Sequence, residues 1–169
     1  MNLFIISFSI ALAVATSVHA VEKADEKRLD EVTQRGAHVM PFDLEKTTHI
    51  FSKTAKGGLQ QVIAKDKSDT EQIRLIRAHL SEIANEFRRG DFSGPTRIHG
   101  ESMPGLAELR SAKAGQLKIE YTELPDGAQI NYSGRSPKLI KAIHQWFDAQ
   151  LSDHARHAIP GHAHQPMHH

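Results

Sequence analysis

Apolar and polar positions recur along this chain in two rhythms, and the rhythms predict most of its elements. From Thr48 the period is two: His49-Ile50-Phe51-Ser52-Lys53 and Leu59-Gln60-Gln61-Val62-Ile63 flank Lys56-Gly57-Gly58. Successive side chains of a strand point to opposite faces, so each run reads as a half-buried strand. The two glycines would supply the positive φ of a tight hairpin turn. The period then lengthens to three and four. Ile73, Ile76, Leu80, Ile83 and Phe87 form one apolar stripe behind Ser68-Asp69-Thr70-Glu71, where Ser68 or Asp69 serves as N-cap and the first turn is acidic. This helix is expected to end before Gly90.

The same order returns downstream. Leu117 to Tyr121 alternates, Pro125-Asp126-Gly127 reads as a hairpin turn, and Ala128 to Tyr132 alternates again. Ser136-Pro137 then opens a helix with a stripe at Leu139, Ile140, Ile143, Phe147 and Leu151. Two ββα units result, weakly alike through Gly58-Leu59-Gln60 and Gly127-Ala128-Gln129. They predict an α+β fold: a four-stranded antiparallel sheet with helices on one face. The stretch from Gly90 to Gly100 reads as a loop by its glycines and Pro95, and Met103-Pro104-Gly105-Leu106 starts a short helix reaching about Ser111.

The ends differ in composition. Leu3 to Val18 is apolar and ends at Val18-His19-Ala20, so residues 1–20 read as a secretory signal peptide, too short to span a bilayer, although Met1-Asn2 carries no basic side chain. Residues 21–36 suit an exposed helical lead-in that Gly36 ends, and residues 37–153 form a single α+β domain. Residues 154–169 hold six histidines among Ala, Pro and Gly, and are expected to be a disordered His-rich tail. The implied location is periplasmic or secreted, with no stable membrane insertion. Lys and Arg (21) nearly cancel Asp and Glu (20), which speaks against nucleic acid as a partner.

Twelve histidines and no cysteine make imidazole, with methionine, the chain's means of holding borderline or soft cations. The expected partner is therefore a metal ion, copper or zinc. One candidate ligand set is His162, His164, Met167, His168 and His169 in the tail; another is His38, Met40, His99 and Met103 in the body, where each methionine precedes a proline. Alternatively, His99 or His144 acts as general base in a small enzyme, with Asp148 one helical turn from His144, and His79 paired to Glu82. A protein-interaction module without a metal role is the third possibility. The loop around His99, with Asp91, Arg97 and Glu101, is where a body site is first expected.

Several segments carry a resemblance: His38-Val39-Met40-Pro41-Phe42, Gly57-Gly58-Leu59-Gln60, Ile76-Arg77-Ala78-His79-Leu80, Gly90-Asp91-Phe92, Ile98-His99-Gly100 with Met103-Pro104-Gly105-Leu106, and Ile143-His144-Gln145-Trp146-Phe147-Asp148. Together they resemble a family of small exported bacterial proteins of unestablished function. Members sometimes carry the label aspartate carbamoyltransferase; the Ser-Thr-Arg-Thr loop with which that enzyme holds carbamoyl phosphate does not occur here. The resemblance implies export and fold, and it draws attention to His38, His79, His99 and His144.

Overall fold

A computed structural model describes residues 21–161. The expected signal peptide and the tail ligands His162, His164, Met167, His168 and His169 lie outside the described residues.

Helix α1 (Glu26–Val39) starts where Asp25 accepts a hydrogen bond from the Arg28 backbone N–H at 2.8 Å. It is not a free lead-in. Leu29 and Val32 are buried, and the helix packs on α3 (Ser93–His99) and α5 (Pro137–Asp153). Nor does Gly36 end it. A Cβ there would lie 2.7 Å from Met40 Cε, so this glycine gives the returning chain room to tuck Met40 under the helix, which continues to Val39.

Strands β1 (Thr47–Thr54) and β2 (Gly57–Ala64) form the first hairpin, and β3 (Leu117–Leu124) and β4 (Gly127–Gly134) the second. The first turn is Ala55-Lys56 rather than the glycines, which already belong to β2. Gly57 does take a positive φ, 152°, and both glycines also answer a need for space. A Cβ on Gly57 would sit 2.1 Å from Tyr132 O, and one on Gly58 2.3 Å from the Phe147 ring. Gly127 mirrors Gly57, since its Cβ would sit 2.0 Å from Val62 O. The β2–β4 pairing (Gly57 opposite Ser133, Ile63 opposite Gly127) thus brings the two units together about a pseudo-two-fold axis. Counterparts lie at an offset of 70 positions (47 to 117, 57 to 127), so Gly57 corresponds to Gly127 and Gly58 to Ala128.

The sheet order is β3-β4-β2-β1-β5, which corrects the expected four strands to five. The added strand, β5 (Ala158–Pro160), pairs parallel with β1, so the sheet is not wholly antiparallel. It comes from the supposed tail: the His49 N–H donates to His157 O at 2.8 Å, and Gly161 N–H to Phe51 O at 2.9 Å. Residues 154–161 are therefore part of the folded body. Two backbone ladder bonds and the burial of Ala158 against the sheet supply what the polar composition conceals.

Helices α2 (Thr70–Arg88) and α5 cover one face of the sheet, where Gln60, Val62, Ile130 and Tyr132 alternate with half-buried outer residues. Ile76, Leu80, Ile143, Trp146 and Phe147 complete the core from the helix side. The expected loop before Gly100 contains α3, and α4 (Leu106–Arg110) follows it. No described helix is long and apolar enough to cross a membrane.

Candidate functional site

Three helix ends and one strand converge on a histidine cluster. The last turn of α3 delivers His99, the end of α5 delivers Asp153 with His154 as its C-cap, α1 contributes Arg28, and β1 contributes His49. Arg28 grips Asp153 with both arms of its fork, Nη2 to Oδ2 at 2.6 Å and Nε to Oδ1 at 3.1 Å. It also donates to the His99 carbonyl at 2.8 Å, which ties α1 to the C-terminus of α3. Asp153 Oδ2 in turn accepts from His99 Nδ1 at 2.7 Å. That contact assigns the Nδ1 proton and leaves Nε2 of His99 directed away from the carboxylate.

The far side of His99 meets a second imidazole. His99 Nε2 and His154 Nε2 are 3.2 Å apart, with the rings at 85°. Two facing nitrogens at this distance hold one proton between them, one donating and the other accepting. His154 stacks on His49 with centroids 5.6 Å apart, and His49 tilts against Phe42 at 5.8 Å. All three histidines are buried, with exposures of 4–5%.

Burial and neighbours divide the charges sharply. Burial alone would raise the Asp153 carboxyl, but its hydrogen bonds to His99 and Arg28 outweigh this and hold it well below the usual carboxylate range. Burial drives His154 far below the ordinary histidine value, and the neighbouring His99 and His49 push it further down. Burial likewise pushes His49 down to about 3, with His157, His79 and His99 adding to the effect. The cluster is thus an ionised carboxylate clamped by a guanidinium at one end, and neutral imidazoles at the other.

This network opens on a cavity of about 60 Å³, mostly apolar, walled by Phe42, Val62, Leu80, Ile83 and Phe87. Its polar lining includes His49, Gln60, His79, His99, Gln150, His154 and Trp146. Tyr132 Oη donates to Gln60 Oε1 at 2.7 Å, which fixes the amide and leaves its hydrogens available. Among the described residues, His49 Nε2 and Trp146 Nε1 have no hydrogen-bond partner although both are buried. An orphaned donor or acceptor in a protein interior costs about 1–3 kcal/mol, and two on one cavity mark a place where a partner is expected. On its other side, His99 borders an outer cleft with Arg28, Asp153 and Met103.

The residues singled out in the sequence scatter. Met40 is buried beside the cavity and Met103 beside the outer cleft, so His99 touches both spaces, but His38 is exposed on α1 and lines neither. The four-ligand body site is not assembled. Among the described residues, no group of three or more His, Cys, Asp or Glu side chains stands ready to hold a metal ion. His144 is not paired with Asp148: its Nε2 sits 3.0 Å from Thr54 O and 2.9 Å from Gly57 O, bracing the first hairpin, while Asp148 pairs with Lys53. His79 packs its ring edge-on to Phe42 at 5.7 Å and lines the cavity, where burial lowers its pKa and Glu82 opposes that only in part.

Sequence reasoning finds His99 but misses Arg28, His49, Asp153 and His154 as its partners. The one local signal is the adjacent pair Asp153-His154, which ends α5 but looks by composition like the start of a tail. Compared with known protein families, with characterised proteins and with solved structures, the chain matches none.

Proposed function

We propose that the protein binds a small uncharged organic molecule in the cavity and transfers protons to or from it through His99 and His154. The observation that carries this reading is the continuous chain Arg28–Asp153–His99–His154, ending at a cavity with unpartnered polar groups. A proton arriving at the imidazole pair lies next to the ionised Asp153, which accepts from His99 Nδ1–H. His154 remains neutral because its burial leaves no counter-charge of its own. The pair accepts a proton in one step and returns it in the next, as general acid–base catalysis requires. Arg28 keeps the carboxylate ionised and in position.

Trp146 is the only tryptophan of the chain and lines the cavity, so its emission reports occupancy directly. A panel of the smallest alcohols, aldehydes and ketones should include members that shift this emission saturably, and His154→Phe should abolish the shift by filling the space. A panel that leaves the emission unchanged at millimolar concentration would refute the reading.

A second reading retains the transition metal expected from the histidine content. Two imidazole nitrogens bound to one tetrahedral cation, each at about 2.0–2.1 Å, stand about 3.3 Å apart, close to the 3.2 Å between His99 Nε2 and His154 Nε2. Asp153 on the opposite nitrogen of His99 is the partner that metal-bound histidines generally have. Titration with Co²⁺, followed by its visible d–d bands, tests this at neutral pH. Bands lost in His99→Gln and in His154→Gln would place the ion between them, and a silent titration would dismiss it.

A further inference from the structure

Resting on the acid–base reading above, we infer that the molecule accepted is a small neutral carbonyl compound, and that the proton moved is one on the carbon next to the carbonyl. Two groups of the lining can only donate to a ligand, while His49 Nε2, also unpartnered, can donate or accept. Trp146 Nε1–H is a donor with no accepting capacity, and it is buried and unpartnered. Gln60 offers its amide hydrogens to the same space, because Tyr132 occupies its oxygen. Two neutral donors call for an acceptor on the ligand that is itself neutral. The lining carries no lysine or arginine side chain. A carboxylate or phosphate would therefore enter without a counter-ion, whereas a carbonyl oxygen satisfies the donors without bringing a charge.

The same arrangement suits proton transfer once the ketone is bound. The imidazole pair removes a proton from the adjacent carbon, the C–H bond breaks, and its electrons form the enolate C=C. The carbonyl π electrons move onto oxygen, where the Trp146 and Gln60 donors face the developing charge. The proton taken up is held by the imidazole pair beside Asp153, and its return to carbon or to oxygen completes an exchange or a keto–enol isomerisation. No oxidant, reductant or further reactant is consumed.

The test uses the full chain with acetone, a ketone small enough for this cavity, and its isostere 2-methylpropene, which lacks the oxygen. Acetone should shift Trp146 emission saturably, and calorimetry should show the hydrocarbon binding at least about tenfold more weakly. In D₂O, proton NMR should show the methyl hydrogens beside the carbonyl exchanging at least about tenfold faster with protein than in buffer. Asp153→Asn should lose that acceleration while still binding the ketone, and Trp146→Phe, followed by calorimetry, should lose the preference for ketone over hydrocarbon. Equal affinity for ketone and hydrocarbon overturns the carbonyl assignment and leaves the cavity reading standing. Ketone binding without accelerated exchange overturns the proton transfer to carbon. If neither compound nor any member of the wider panel binds, both this inference and the acid–base reading fall.

Discussion

Lowering the pH from 7.5 to 5 puts the buried histidines in competition with their unfolded counterparts. In the fold, burial holds His49 neutral, with its pKa pushed down from 6.5 to about 3. In the unfolded chain the same imidazole takes up a proton near 6.5. Acid therefore favours the unfolded state, and the contribution has a definite window: stability is complete above pH 6.5, falls as the pH drops below it, and levels off near 3. Each pH unit inside the window is worth about 1.4 kcal/mol per group. Between pH 6.5 and 5, His49 alone thus removes about 2 kcal/mol.

His154, His79 and His157 shift in the same direction and steepen the loss. Glu86, raised by burial with help from Asp91 and Glu82, opposes it near the lower end, and Asp153 does not enter, because it begins to lose stability only below its ordinary value of 3.8. The assay is urea unfolding at pH 7.5, 6.5 and 5 at constant ionic strength, followed by Trp146 emission, for the natural chain and His49→Phe. Phe fills a similar volume among Phe42, Phe51 and His154 without titrating, so the variant should lose about 2 kcal/mol of the pH dependence. A midpoint that does not move between pH 7.5 and 5, or a His49→Phe variant with the full natural dependence, would show that His49 is not held neutral in the fold.

The packing sets three further expectations. Asp153→Asn removes the charge that Arg28 grips from a half-buried site and should lower unfolding free energy by about 2 kcal/mol, read by urea denaturation at pH 7.5. Gly58→Ala puts a methyl group 2.3 Å from the Phe147 ring, inside a core with no slack, and should cost about 1–3 kcal/mol by the same measurement. A chain ending at Asp153 loses β5 and His154 together, so it should melt several degrees below one ending at Gly161, as calorimetry would show; equal melting temperatures would mean that β5 adds nothing.

Where local chemistry dictates structure, the chain is readable. The strands, the caps at Asp69 and Ser136 and the stripes of α2 and α5 follow from period and capping alone, and the structure has them where the pattern indicates. The failures share a cause. Gly36 and Gly58 look like a breaker and a turn former, yet each is there because a side chain comes too close for a Cβ, 4 and 89 positions away in sequence, and Gly57 combines such an approach with its positive φ. The site is hidden for the same reason. Arg28 and Asp153 are 125 residues apart, and His99 and His154 are 55 apart, so no spacing rule could join them. Composition misleads at the C-terminus, where His, Ala and Pro suggest a tail although His154–Pro160 adds a strand through backbone hydrogen bonds.

The pseudo-two-fold explains where the site lies. The two hairpins match strand for strand, and a symmetric protein would offer two equivalent cavities, one under each helix. At the offset of 70 positions, however, His49 has Ile119 as its counterpart and Gln60 has Ile130, so the polar lining exists in one unit and is replaced by aliphatic core in the other. Val62 corresponds to Tyr132, whose hydroxyl crosses between units to orient Gln60. The non-repeated parts, α1, α3 and β5, supply or position Arg28, His99 and His157 on the side of β1 alone. The strands of the first unit thus carry the cavity's polar lining, while the second unit contributes through α5, which brings Trp146, Gln150, Asp153 and His154. Exchanging the two lining residues should expose this division. Gln60→Ile with His49→Ile recreates the second unit's lining in the first, which should remove about 2 kcal/mol of the pH dependence between 7.5 and 5 while erasing every ligand-dependent change in Trp146 emission. If the double variant still responded to the ligands of the natural protein, the cavity beneath β1 would not be where they bind.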